Sequence, residues 1–115
     1  MAATVNNSYI PEQGDIIMIN FNPSRGHEEQ GWHPALVISQ KRLSTSSPFV
    51  WCVPISHGQY YHPLHVSLDS RTQIEGTIFV EQLKSFDYHA RLFEYMEKIP
   101  SDLLSEVLDN IHQTL

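Results

Sequence analysis

GDIIMINFNPSRGHEEQGWHPALVISQ, residues 14–40, is the stretch from which the fold can be read. It begins with the apolar run Ile16-Ile17-Met18-Ile19 and ends with Ala35-Leu36-Val37-Ile38. Between the runs lie Pro23, Gly26, Gly31 and Pro34, interspersed with Arg25, His27, Glu28, Glu29, Gln30, Trp32 and His33. Two β-type runs are thus joined by more loop than a bare hairpin needs. Long loops on short strands often carry function, because the rigid strands position what the loop bears.

Outward from this stretch, residues 1–13 read as a polar, loose start that docks late, and residues 14–21 and 35–40 as the first two strands. Residues 41–48 are Ser-rich and turn-like, with room for one helical turn. A third strand covers 49–55, with Pro54 near its end, where proline is tolerated. Residues 56–63 form a second loop rich in hydrogen-bonding groups. Leu64-His65-Val66-Ser67-Leu68 alternates with the period of a half-buried strand. Further strands are expected at 76–80 and 90–95, with a short helix or turn at 81–86. The last segment is helical: Pro100-Ser101-Asp102 offers an N-cap and a negative first turn. Leu103, Leu104, Val107, Leu108, Ile111 and Leu115 then fall on one stripe. Many short strands and a terminal helix predict a mainly β, α+β domain with a curled sheet, spanning residues 1–115 as a single unit.

A chain of 115 residues can bury a modest core without staples. Its net charge of −6 argues against a generally basic nucleic-acid binder, so any such site must be a local positive patch. The seven histidines, which titrate near ~6.5 when unperturbed, can reduce that charge. The lone Cys52 excludes an intrachain disulfide and lies in the apolar run Phe49-Val50-Trp51-Cys52-Val53, which reads as a buried strand thiol. No apolar run approaches the ~18 residues of a membrane span, and the first residues lack a signal-peptide pattern, so the expected compartment is the cytoplasm with no membrane attachment.

No metal or other cofactor is expected. His62 and His65 lie three apart, which on a strand points them to opposite faces, whereas Zn needs three or four converging ligands. Taken singly, His33 is equally a hydrogen-bonded strand-edge histidine, Ser56 a turn residue, and Glu28 and Glu29 solvated loop acids.

The ordered pieces of this chain resemble the MazF/PemK toxin family. Gly14-Asp15, Phe21-Asn22-Pro23, Gly26-His27-Glu28 and His33-Pro34-Ala35-Leu36-Val37-Ile38-Ser39 are similar to the family's amino-terminal signature. Cys52-Val53-Pro54-Ile55-Ser56, Pro63-Leu64-His65-Val66 and Glu81-Gln82-Leu83-Lys84-Ser85-Phe86-Asp87, followed by Arg91-Leu92, resemble its later pieces, so the likeness runs from residue 9 to residue 115. It implies a small SH3-like barrel of twisted antiparallel strands with a carboxy-terminal helix. It also implies the toxin of a type II toxin–antitoxin system: a metal-independent, sequence-specific endoribonuclease that cuts single-stranded RNA by 2′-hydroxyl attack and inhibits growth. The implied partners are single-stranded RNA, a cognate antitoxin, a second copy in a homodimer, and DNA through the antitoxin complex.

Residue by residue, the likeness carries catalytic roles onto Glu28, Ser56 and position 33, where the family's Arg is replaced by His33. Arg clamps phosphate through two N–H groups but is a poor proton donor, whereas His exchanges a proton near neutrality. His33 therefore either keeps proton transfer and leaves the clamp to Arg25 or Arg91, or the site binds without cutting. For RNA contact the two loops offer Arg25, Gln30, Trp32, His57 and Gln59, with charge added by Lys84 and Arg91 and stacking surfaces by Trp32 and Tyr60. The alternative on the same fold is a binding protein, either a non-cutting relative or one like the gyrase-poisoning CcdB toxins. The ending His112-Gln113-Thr114-Leu115, without a terminal Trp, disfavours the CcdB-like form.

Overall fold

The computed structural model describes residues 9–22, 26, 28–58 and 61–115. Seven strands form one antiparallel sheet: β1 (Asp15–Asn20), β2 (Trp32–Val37), β3 (Phe49–Ser56), β4 (Val66–Ser67), β5 (Thr77–Ile78), β6 (Lys84–Asp87) and β7 (Phe93–Lys98). The spatial order is β4-β5-β3-β2-β1-β7, and β6 pairs with the first half of β3. The sheet is not closed: among the described residues no pairing joins β7 to β4 or β6. Two helices complete the fold, α1 (Lys41–Ser46) after β2 and α2 (Ser101–His112) at the end.

The central strands are buried on both faces, which is why their sequences are continuous apolar runs rather than alternations. Side chains of a strand point alternately to opposite faces. Ile16, Leu36, Val53 and Ile55 accordingly face one core with Leu103 and Val107 of α2. Ile17, Ile19, Ala35, Val37 and Cys52 face the other, with Phe21, Phe86, Tyr88 and Phe93. The chain start is docked from Tyr9 onward. Its hydroxyl donates to Asp15, a buried carboxylate that also meets Lys98 Nζ at 2.5 Å. Burial and that neighbour push the Tyr9 hydroxyl far above its ordinary range.

Several elements differ from the sequence expectation. Strand β2 starts earlier, at Trp32, and takes Pro34 opposite Met18. The strand expected at 64–68 shrinks to β4, because Pro63 and Leu64 turn, and the one at 76–80 shrinks to β5. The expected helix or turn at 81–86 is a 3-10 turn at Val80–Gln82 followed by β6. The last strand lies three residues later than expected, at Phe93–Lys98. Pro100, not Ser101, sits at the N-cap of α2, with no side-chain cap, while Asp102 does occupy the first turn.

The helix stripe is narrower than its spacing suggests. Leu103 and Val107 are buried, Leu104, Leu108 and Ile111 are only partly covered, and Leu115, beyond the helix, is 93% exposed. Leu103→Ala should therefore cost ~2–5 kcal/mol, and Leu108→Ala distinctly less. Urea unfolding of the two variants checks this: equal losses would mean that α2 is rotated from the docking described.

Candidate functional site

Strand β2 leaves the first loop at Trp32, and His33 is its second residue. It lies opposite Ile19 of β1. On the other side Ala35 pairs with Pro54 of β3, and continuing that register two residues brings His33 across from Ser56. His33, Ser56 and His57 border one cleft of ≈ 430 Å³, together with Met18 and the turn at Gln73, Ile74 and Glu75. Strand geometry thus unites two residues that stand in different loop–strand junctions of the sequence.

The imidazole of His33 is seated from three sides. Phe21 meets it edge-on, with ring centroids 5.8 Å apart. Nε2 lies 2.9 Å from Glu29 Oε1, with both side chains 19% exposed. Nδ1 lies 3.2 Å from the Pro34 carbonyl oxygen. Both neighbours are acceptors, and a neutral ring can donate to only one of them at a time.

Of the two loop acids, Glu29 is the one turned to His33. Its backbone N–H donates to Gln82 Oε1 at 3.2 Å, which ties the loop to the 3-10 turn before β6. Glu28, the acid matched by the family pattern, is exposed and lies 3.4 Å from Lys84 Nζ. The sequence offers no signal for this division, because loop residues have no periodicity to assign their direction. Both acids line a small depression with Phe21, Gln82 and Lys84, next to the cleft of His33.

The far wall of that cleft is held by charge. Arg71 pairs with Asp69 and, at 2.8 Å, with Asp102 at the start of α2. These bonds to the Arg71 guanidinium hold both carboxyls below their usual range. Glu97 accepts the backbone N–H of Gln73 and of Ile74. Gly76 closes the wall. Its φ is +133°, and a Cβ there would lie 2.9 Å from the Ser56 carbonyl oxygen.

The remaining candidates are spread around this centre. Gln30 and His57 are exposed. Trp32 and Arg91 line a third cleft with Asn20, Asn22, Asp87 and Leu92. Arg91 lies over the Phe86 ring at 4.8 Å and donates from Nη1 to the carbonyls of Asn20 and Asn22 at 2.5 and 2.6 Å. Arg25, Gln59 and Tyr60 lie outside the described residues.

His62 and His65 do not stand on opposite strand faces as expected. They approach to 5.7 Å across the turn. His65 stacks on Phe79 at 4.3 Å and pairs with Glu81 at 2.8 Å. Among the described residues no group of three or more His, Cys, Asp or Glu is arranged to hold a metal ion. Cys52 is fully buried, and burial pushes its thiol well above the ordinary range, so no thiolate is available for chemistry. Among the described residues no helix is long and apolar enough to cross a membrane.

The model of the PemK-like, MazF-like toxins of type II toxin–antitoxin systems matches residues 12–115. The endoribonuclease toxin MazF of Escherichia coli (strain K12) is 31% identical over 83 residues, covering 72% of this chain and 74% of that protein. The crystal structure of MazF from Deinococcus radiodurans superposes with a TM-score of 0.85 at 27% identity, covering 92% of this chain and 96% of that one. A MazE–MazF crystal structure from Deinococcus radiodurans gives 0.81 at 25% identity, with coverage of 92% and 96%.

Proposed function

The chain belongs to the PemK-like, MazF-like toxin family of type II toxin–antitoxin systems, and from that premise we propose that it is a working endoribonuclease with His33 at its centre. The observation that carries this reading is the seating of His33. A side chain standing in for the family's Arg is held by Phe21, Glu29 and Pro34 on the rim of the cleft shared with Ser56.

In the proposed reaction the 2′-oxygen of a single-stranded RNA attacks the adjacent phosphorus and the bond to the 5′-oxygen breaks. One proton leaves the 2′-hydroxyl and one reaches the departing 5′-oxygen. His33 supplies the latter, with Glu29 orienting the ring and Glu28 standing near the loop mouth as the carboxylate that takes the former. The Ser56 hydroxyl contacts the phosphate or the attacking oxygen. The clamp that an Arg at position 33 would provide passes to other cations. Arg25, Lys84 and Arg91 hold the strand, and Gln30, Trp32, His57 and Gln59 contact its bases.

The same reading takes residues 1–115 as one toxin domain that acts in the cytoplasm as a homodimer. A cognate antitoxin neutralises it, a reading supported by the MazE–MazF complex of similar fold, and the pair reaches DNA through that antitoxin.

All roles fall to side chains of this chain, so cleavage of a long RNA by the purified protein should proceed unchanged in EDTA. Mapped cut ends should recur at one short sequence. Loss of cleavage with chelator and its return with a divalent ion would overturn the acid–base assignment.

A further inference from the structure

We propose that the cleft between the foot of the first loop and the turn before β7 is a nucleobase subsite, which takes one unpaired base of the RNA. The proposal rests on the RNA-cutting reading above and adds to it the place and the residues of base readout. Three observations point to it.

The first is an exposed platform. Trp32 is 38% exposed and borders the cleft opposite the exposed Leu92. Every base has a π-face that stacks on such a ring.

The second is a set of polar atoms whose other ends are already fixed. Asn20 Oδ1 accepts the backbone N–H of Asn22, and Asn22 Oδ1 accepts that of Gly31, each at 2.9 Å. These donors fix which way each amide points, so both Nδ2 groups remain as donors with no partner among the described residues. Asp87 behaves in the same way. Its Oδ1 accepts from His89 N and Ala90 N, which leaves Oδ2 as an acceptor with no partner among the described residues. The cleft therefore presents two donors and one anionic acceptor beside a stacking surface, the equipment that reads a base edge through its N–H and carbonyl or ring-nitrogen groups.

The third is rigidity. Arg91 holds the carbonyls of Asn20 and Asn22 while its plane lies on Phe86, so the two amides are presented from a locked backbone. Nε and Nη2 of Arg91 have no partner among the described residues and can take the phosphate next to the bound base.

Fluorescence of a protein carrying Trp51→Phe tests this, because Trp32 is then the sole tryptophan. The probes are four short 2′-deoxy oligonucleotides, each rich in one base, which lack the 2′-hydroxyl and are not cut. Trp32 emission should change on binding, and the four Kd values should spread roughly tenfold or more, with Trp32→Ala weakening the tightest by a similar factor. Asp87→Asn keeps the Oδ1 that caps the turn and turns the free acceptor into a donor. It should reorder the four bases while the melting curve stays put. Asn20→Asp makes the opposite exchange and should reorder them differently, which keeps the test open if either variant folds poorly. Absence of binding by all four, binding without a change in Trp32 emission, or an unchanged order in both variants overturns the subsite. Binding and reordering in a protein that never cuts RNA would uphold the subsite and overturn the cleavage reading instead.

Discussion

Replacing His33 with alanine should lower the RNA-cleavage rate by ~10²–10⁴-fold, the usual worth of a positioned proton donor or acceptor, while the protein stays folded. The ring is partly exposed at the end of β2, with the buried core beginning two residues further along at Ala35. Truncation therefore removes the contacts to Phe21 and Glu29 without opening the core. Single-turnover cleavage with protein in excess over RNA measures the effect free of product release. A rate equal to the parent's would remove His33 from the chemistry. His33→Arg should retain activity, because it restores the cation that clamps phosphate.

Phe21→Ala should cost ~3–5 kcal/mol of stability and also depress cleavage. Phe21 is buried at the edge of the core that contains Phe86 and Phe93, with Phe86 packed edge-on at 4.9 Å. The same ring supports His33 from below. Deleting it leaves a cavity under the rim that carries His33, so stability and rate should fall together. Denaturant titration and a rate measured well below the new midpoint separate the two effects. A destabilised protein that still cuts at the parental rate would show that the ring does not seat His33.

What the sequence could reveal follows from where periodicity exists. The runs Ile16-Ile17-Met18-Ile19 and Ala35-Leu36-Val37-Ile38 announce strands because a core on each face demands apolar residues at consecutive positions. The terminal helix is equally plain from its stripe, although Leu115 continues the spacing past the point where the helix ends. Strand β6 was not legible. Lys84-Ser85-Phe86-Asp87 has one buried side chain, and its extended form comes from pairing with Phe49–Cys52, a partner far away in the chain. Order along the chain placed Ser56 and position 33 among the candidates, but their shared cleft depends on the β2–β3 register. The choice between Glu28 and Glu29, and the attachment of Arg91 to the carbonyls of Asn20 and Asn22, depend on loop conformation. Neither leaves a trace in residue spacing.

The most direct test of the central claim sets the parent and His33→Arg side by side against one long RNA in EDTA, with cut ends mapped for both. The parent is expected to cut at a recurrent short sequence, and His33→Arg to cut at the same sequence. An intact RNA with the parent, together with cleavage by His33→Arg, would contradict it and make the chain a relative that holds RNA without cutting it.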